Sequence, residues 1–167
     1  DFIQEISNKI IIFYYYRSQD VLIDELMQKY ENKIDLDYIT WYNVFITYVQ
    51  LYHDKSAPQF KERALKAYNK SLEKVPEYGE PKAVRLILHM IDYSKTKNIK
   101  EKNEAEELLK QILSANDDVL PYSVDNCLVR NSNTYLQKYI NLLIETFPEL
   151  IKELDARYNK YLNGQNQ

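Results

Sequence analysis

Two histidines, one cysteine and sixteen tyrosines are the side chains in this chain with the most chemistry to offer. A histidine pair can ligate zinc or move a proton, but only with cysteine, histidine or carboxylate partners at ligand spacing. His53 and His89 fall on different predicted helices and have none. His53-Asp54 sits at a predicted helix end, where an imidazole binds the last carbonyls. Cys127 as a nucleophile would need an imidazole beside it, and neither histidine lies in its segment; it reads as a small core residue. The acidic pairs Glu106-Glu107 and Asp117-Asp118 read as solvated faces or turns, with nothing to desolvate one carboxyl and make it a proton donor. There is no glycine-flanked serine, phosphate loop or dinucleotide fingerprint. The expectation is a non-enzymatic protein with no catalytic residues, no metal and no cofactor.

The tyrosines carry more information, because a phenol ring buries a large area and still reaches water or a partner with its hydroxyl. What positions them must be helical. The 167 residues contain only two glycines, Gly79 and Gly164, too few for the turns of a sheet-rich or phosphate-cradling fold. Hydrophobic residues make up 45% and charged residues 28%, which fits a soluble folded domain. A net charge of −3 gives no basic face for nucleic acid. The lysines at 95, 97, 100 and 102 are diluted by Glu101, Glu104, Glu106 and Glu107. The run Ile10 to Tyr16 is shorter than the roughly 18 apolar residues of a membrane span and reads as a buried helix. A cytoplasmic location is favoured over a secreted or surface-anchored one. The chain begins at Asp1 without methionine, so a removed leader stays open.

Self-similarity organises the rest. Ala64, Tyr68, Ser71 and Pro76 set a pattern of offsets, one side of a helix closed by a proline. The same offsets recur at Ile23, Met27, Tyr30 and Asp35; at Ala105, Leu109, Ile112 and Asp117; and at Leu136, Ile140, Leu143 and Pro148. The closing markers are spaced by 41, 41 and 31 residues. Caps fit this frame. Asp37 is placed to cap the helix carrying Trp41, and Ser56-Ala57-Pro58-Gln59 has capping-box spacing. Pro81 starts a helix running to about Tyr93, Pro121 and Ser123 open a short helix ending near Arg130, and Gly164 supplies a stop after a final amphipathic helix. Nine helices result: four hairpins and one terminal cap.

The offsets resemble the second helix of the tetratricopeptide repeat, and Trp41-x2-Val44-Phe45-x2-Tyr48 resembles that family's first-helix motif W-x2-L-G-x2-Y. The resemblance implies an all-α fold, an α-α superhelix in one domain over 1–167. Its units would run about 4–37, 38–78, 79–119 and 120–148, with a capping helix over 148–163. The chain departs from the family at the first-helix glycine, which is replaced by Ile11, Phe45, Leu86 and Cys127. Phe45 would then face Ala64 and Leu86 would face Ala105, large against small. Two units exceed the family's roughly 34 residues. Their extra residues fall near Asp54 to Phe60 and Ser94 to Lys100, as longer helices and loops inside the hairpins.

In that family the first helices line a concave groove that receives a peptide. Carried over, the groove positions are Asn8, Ile12, Tyr15 and Tyr16; then Tyr42, Ile46, Val49 and Gln50; then Ala83, Ile87 and Met90. The lining is aromatic and aliphatic, which favours an apolar or amphipathic segment of a protein or peptide. The cationic positions that clamp carboxylate tails in some members are largely missing. The expected role is therefore a peptide-binding scaffold module. The competing occupants of the groove are the chain's own last helix and a second copy in a homodimer. Two other roles compete with this one: a carbohydrate- or small-ligand-binding helical lipoprotein, and a regulatory helical segment of a larger protein.

Overall fold

A computed structural model describes residues 20–30, 35–76, 80–115 and 136–165. Among these residues there are seven helices and no strand, so the fold class is all-α. The helices are α1 (Asp20–Tyr30), α2 (Tyr38–Lys55), α3 (Pro58–Lys74), α4 (Glu80–Thr96), α5 (Ile99–Leu113), α6 (Leu136–Thr146) and α7 (Pro148–Gln165). The predicted helices around Ile10 to Tyr16 and Pro121 to Arg130, together with Asp117 and Cys127, lie outside the described residues. The helices gather into two compact units, residues 1–76 and 77–167.

In the first unit, α2 and α3 form a hairpin. Asp37 caps α2 as its type and position require, its Oδ1 accepting from the Thr40 N–H at 2.8 Å. The apolar side of α2, including Trp41, Val44, Phe45 and Tyr48, is buried, and so are Ala64, Ala67, Tyr68 and Ser71 of α3. Phe45 meets Tyr68 with ring centroids 5.5 Å apart, a tilted pair, while Ala64 leaves room in the seam. Lys74, at the end of α3, pairs with Asp35 just before α2 and closes the hairpin at its open end.

The second unit contains the hairpin α4–α5. Leu86, Ala105, Leu109 and Ile112 are buried in it. Here α4 also touches α6, and α5 touches α7. Only Phe147 separates α6 from α7; its ring is buried, and its N–H donates to Leu143 O at 2.9 Å. Arg157 of α7 donates to Ala115 O at 2.9 Å, satisfying a carbonyl beyond the end of α5.

The two hairpins share one connection, repeated at an interval of 41 residues. Ser56 and Lys97 are the two non-glycine residues with positive φ among the described residues, at 54° and 55°. Their N–H groups donate to Tyr52 O and Tyr93 O, each at 2.9 Å. The next residues, Ala57 and Asn98, are extended and start the second helix. This overturns the capping box expected at Ser56: its backbone ends α2, Ala57 is the cap residue, and Ala57 has no side chain to cap with. Asn98, at the equivalent place, does cap, accepting from the Lys100 N–H at 3.0 Å. Both loops are two residues long, so the extra length expected partly in loops is helix instead. Gly164 also departs from expectation: it lies within α7, without positive φ, and does not stop the helix.

Candidate functional site

On a helix, residues three, four and seven apart share a side, so α2 presents two unlike sides. Trp41, Val44 and Tyr48 point into the first unit and are buried. Ile39, Tyr42, Ile46, Gln50 and His53 form the opposite stripe. Ile39 is 55% exposed, and the other four are half-buried. Tyr38 and Tyr42 stack beside Ile39 with centroids 5.8 Å apart and planes 8° from parallel. The stripe thus begins in aromatic and aliphatic surface and ends in the amide of Gln50 and the imidazole of His53. Gln50 holds Asp54 through its Nε2, at 3.0 Å from both carboxylate oxygens. His53 Nε2 stands 3.8 Å from Asp54 Oδ1, beyond hydrogen-bond reach.

Four of the expected groove residues on this and the next hairpin stand elsewhere. Val49, Ile87 and Met90 are 0%, 1% and 0% exposed, as is Ala83 at 0%, so they are core side chains. The expectation treated every first-helix position as open on one side; α4, buried almost throughout from Ala83 to Asp92, has no such open side. Tyr42, Ile46 and Gln50 are the members that reach the surface. Asn8, Ile12, Tyr15 and Tyr16 lie outside the described residues.

The inward side of α2 carries a second feature. A cavity of about 130 Å³ opens between Trp41, Val44 and Tyr48 of α2 and Arg63, Lys66 and Ala67 of α3. Met27 and Gln28 of α1 complete its wall. Asp24 of α1 fixes two of these side chains: it accepts the Tyr48 hydroxyl at 2.8 Å and pairs with Arg63. The Arg63 guanidinium also lies 5.9 Å from the centre of the Tyr48 ring.

The second unit holds a polar cluster that local spacing did not reveal. His89, 6% exposed, places Nδ1 2.7 Å from Glu101 Oε2, and its Nε2 accepts from Arg85 Nε at 3.3 Å. With Nε2 accepting, the ring proton sits on Nδ1 and is donated to Glu101. Glu101 is itself mostly buried, at 14%. The partners are 12 residues apart across a hairpin loop, which no motif of short spacing detects. The signal lies in the repeat: His89 and Glu101 stand 41 residues beyond Tyr48 and Phe60, whose rings stack at 6.3 Å.

Glu106, Glu107 and Lys110 sit on a solvated face of α5. Glu106 and Glu107 both bind Lys110, at 2.8 and 3.2 Å, and these bonds raise the lysine's pKa. Lys97 and Lys102 lie over the rings of Tyr93 and Phe147. Among the described residues, no group of three or more His, Cys, Asp or Glu is placed to hold a metal ion, and no helix is long and apolar enough to cross a membrane. No family model, no curated protein and no solved structure matches this chain.

Proposed function

We propose that the chain is a non-enzymatic helical-repeat module that holds an amphipathic helical segment of another polypeptide, using the outward stripe of α2. The observation that carries this reading is the run of Ile39, Tyr42 and Ile46 on one side of a helix whose other side is buried. Residues at that spacing form a ridge, the shape that fits the groove of a second helix. The Tyr38–Tyr42 stack holds two rings in place, so little side-chain freedom is lost on docking. Gln50 and His53 supply a polar rim at one end. The 41-residue repetition of the hairpin connection supports the tetratricopeptide-like reading, in which stacked hairpins present their first helices to a partner.

The footprint is narrower than a groove crossing three hairpins. Burial of Ile87 and Met90 leaves the second unit's first helix with little to offer such a ligand. The test is affinity capture with wild type against a Tyr42→Glu, Ile46→Glu double variant, each shown by circular dichroism to be helical. A partner helix that protects α2 amides from hydrogen exchange, and is lost by the folded double variant, supports the reading. Equal capture by both proteins removes it.

A further inference from the structure

The tip of the second hairpin carries residues that its fold does not ask for. Lys95, Thr96, Lys97, Asn98, Ile99 and Lys100 are exposed in an unbroken run. Ile99 is 63% exposed, the most of any large hydrophobic side chain among the described residues. The first hairpin makes the same connection with Ser56, Pro58 and Gln59 in place of Lys97, Ile99 and Lys100. The backbone therefore demands neither the isoleucine nor the lysines. Local physics opposes them. Lys97 is a left-handed non-glycine residue, and Lys100 and Lys102 put positive charge at the positive end of α5. Proline, as at Pro58, suits the first helical position better than the β-branched Ile99. Residues that break local rules without a gain in folding mark a surface kept for use.

The charge at this tip is purer than the sequence implies. Glu101, expected to dilute the lysines, turns inward to His89 and is only 14% exposed. Glu106 and Glu107 are taken by Lys110. Lys97 and Lys102 rest on the rings of Tyr93 and Phe147, which leave their charge intact. Among the described residues, neither these two nor Lys100 has a carboxylate partner. We propose that this tip docks on an anionic lipid surface, with Ile99 entering the headgroup layer and Lys97, Lys100 and Lys102 meeting the lipid anions. A projecting aliphatic side chain beside lysines suits a surface that is anionic outside and apolar just beneath. Nucleic acid offers the charge without the apolar layer.

The test is flotation of the whole chain with vesicles of phosphatidylcholine alone, and of phosphatidylcholine mixed with phosphatidylserine, in low salt. Binding to the anionic vesicles only, weakened by added salt, is the expected result. Lys97→Ser with Lys100→Gln installs the first hairpin's residues, so the loop is kept, and binding should weaken by about fivefold per lysine. Ile99→Ser should weaken it by about tenfold. Ile99→Trp should tighten it, because an indole favours the membrane interface, and a damaged fold cannot produce that gain. The outward-stripe variant Tyr42→Glu should leave binding intact, which separates this tip from the partner surface. No binding to anionic vesicles, equal binding to neutral ones, or no change with Ile99→Ser and Ile99→Trp overturns the proposal. Polyuridylate bound as well as the anionic vesicles, and equally well by Ile99→Ser, reassigns the lysines to nucleic acid and also overturns it.

Discussion

His89 and Glu101 meet at 2.7 Å in the place where, 41 residues earlier, Tyr48 stacks on Phe60. One hairpin closes this point of its seam with two rings, and the other closes it with a buried hydrogen bond assisted by charge. A buried polar pair is costly to break from one side, because the group left behind keeps its desolvation penalty. Glu101→Leu strands the His89 N–H and should cost about 1–3 kcal/mol. Importing the other solution, His89→Tyr with Glu101→Phe, should recover most of that loss. Urea unfolding followed by circular dichroism measures both, and a double variant no better than Glu101→Leu would show that the two seams are not equivalent.

The left-handed residues Ser56 and Lys97 give a second test of the repeat. An L-residue in that conformation costs about 1 kcal/mol, a cost glycine does not bear. Ser56→Gly and Lys97→Gly should each raise stability by about 0.5–1 kcal/mol, with roughly additive effects because the sites lie in different units. Lys97→Gly gives up the contact of its ammonium with the Tyr93 ring and should sit at the low end. Replacing either residue with valine should be destabilising. A glycine variant that lowers the midpoint at either position contradicts the shared loop geometry.

How much of this was legible in advance follows from what each feature depends on. The helices and their buried sides were readable because periodicity is local: Ala64, Tyr68, Leu109, Ile112 and Leu143 are all buried as their offsets require. The Asp37 cap was readable for the same reason. Ser56 misled because a two-residue loop makes one residue both the end of a helix and a neighbour of the next cap, and sequence spacing does not say which role its backbone takes. Val49, Ile87 and Met90 misled because apolar residues mark a core side and a docking side alike. The cavity and the His89–Glu101 pair needed three-dimensional pairing; only alignment of the chain on itself at 41 residues brings Tyr48 beside His89.

The same alignment shows an uncapped helix. Ala57 occupies the cap position of α3 with extended backbone and no side-chain hydrogen bond, whereas Asn98 caps α5 from the equivalent place. Ala57→Asn should therefore stabilise the protein by about 1 kcal/mol, and Asn98→Ala should cost a similar amount. Thermal unfolding of the two variants is sufficient. A stability change of the same sign in both would mean that the two connections differ where they look alike.

Thr40 lies one turn into α2 and is fully buried; its N–H is taken by Asp37, but its hydroxyl has no hydrogen-bond partner. Thr47, further along the same helix, donates its hydroxyl to Asn43 O at 2.8 Å, so the helix offers that solution and Thr40 does not use it. Four residues back from Thr40 is Leu36, outside the helix, where no helical carbonyl stands ready. A buried hydroxyl without a partner costs about 1–3 kcal/mol, and valine has the same shape without it. Thr40→Val should raise stability by about 1 kcal/mol while Thr47→Val, which gives up a made bond, should be neutral or slightly destabilising. If Thr40→Val instead destabilises the chain in urea, the hydroxyl has a hydrogen bond after all, and the packing around the start of α2 must admit water to it.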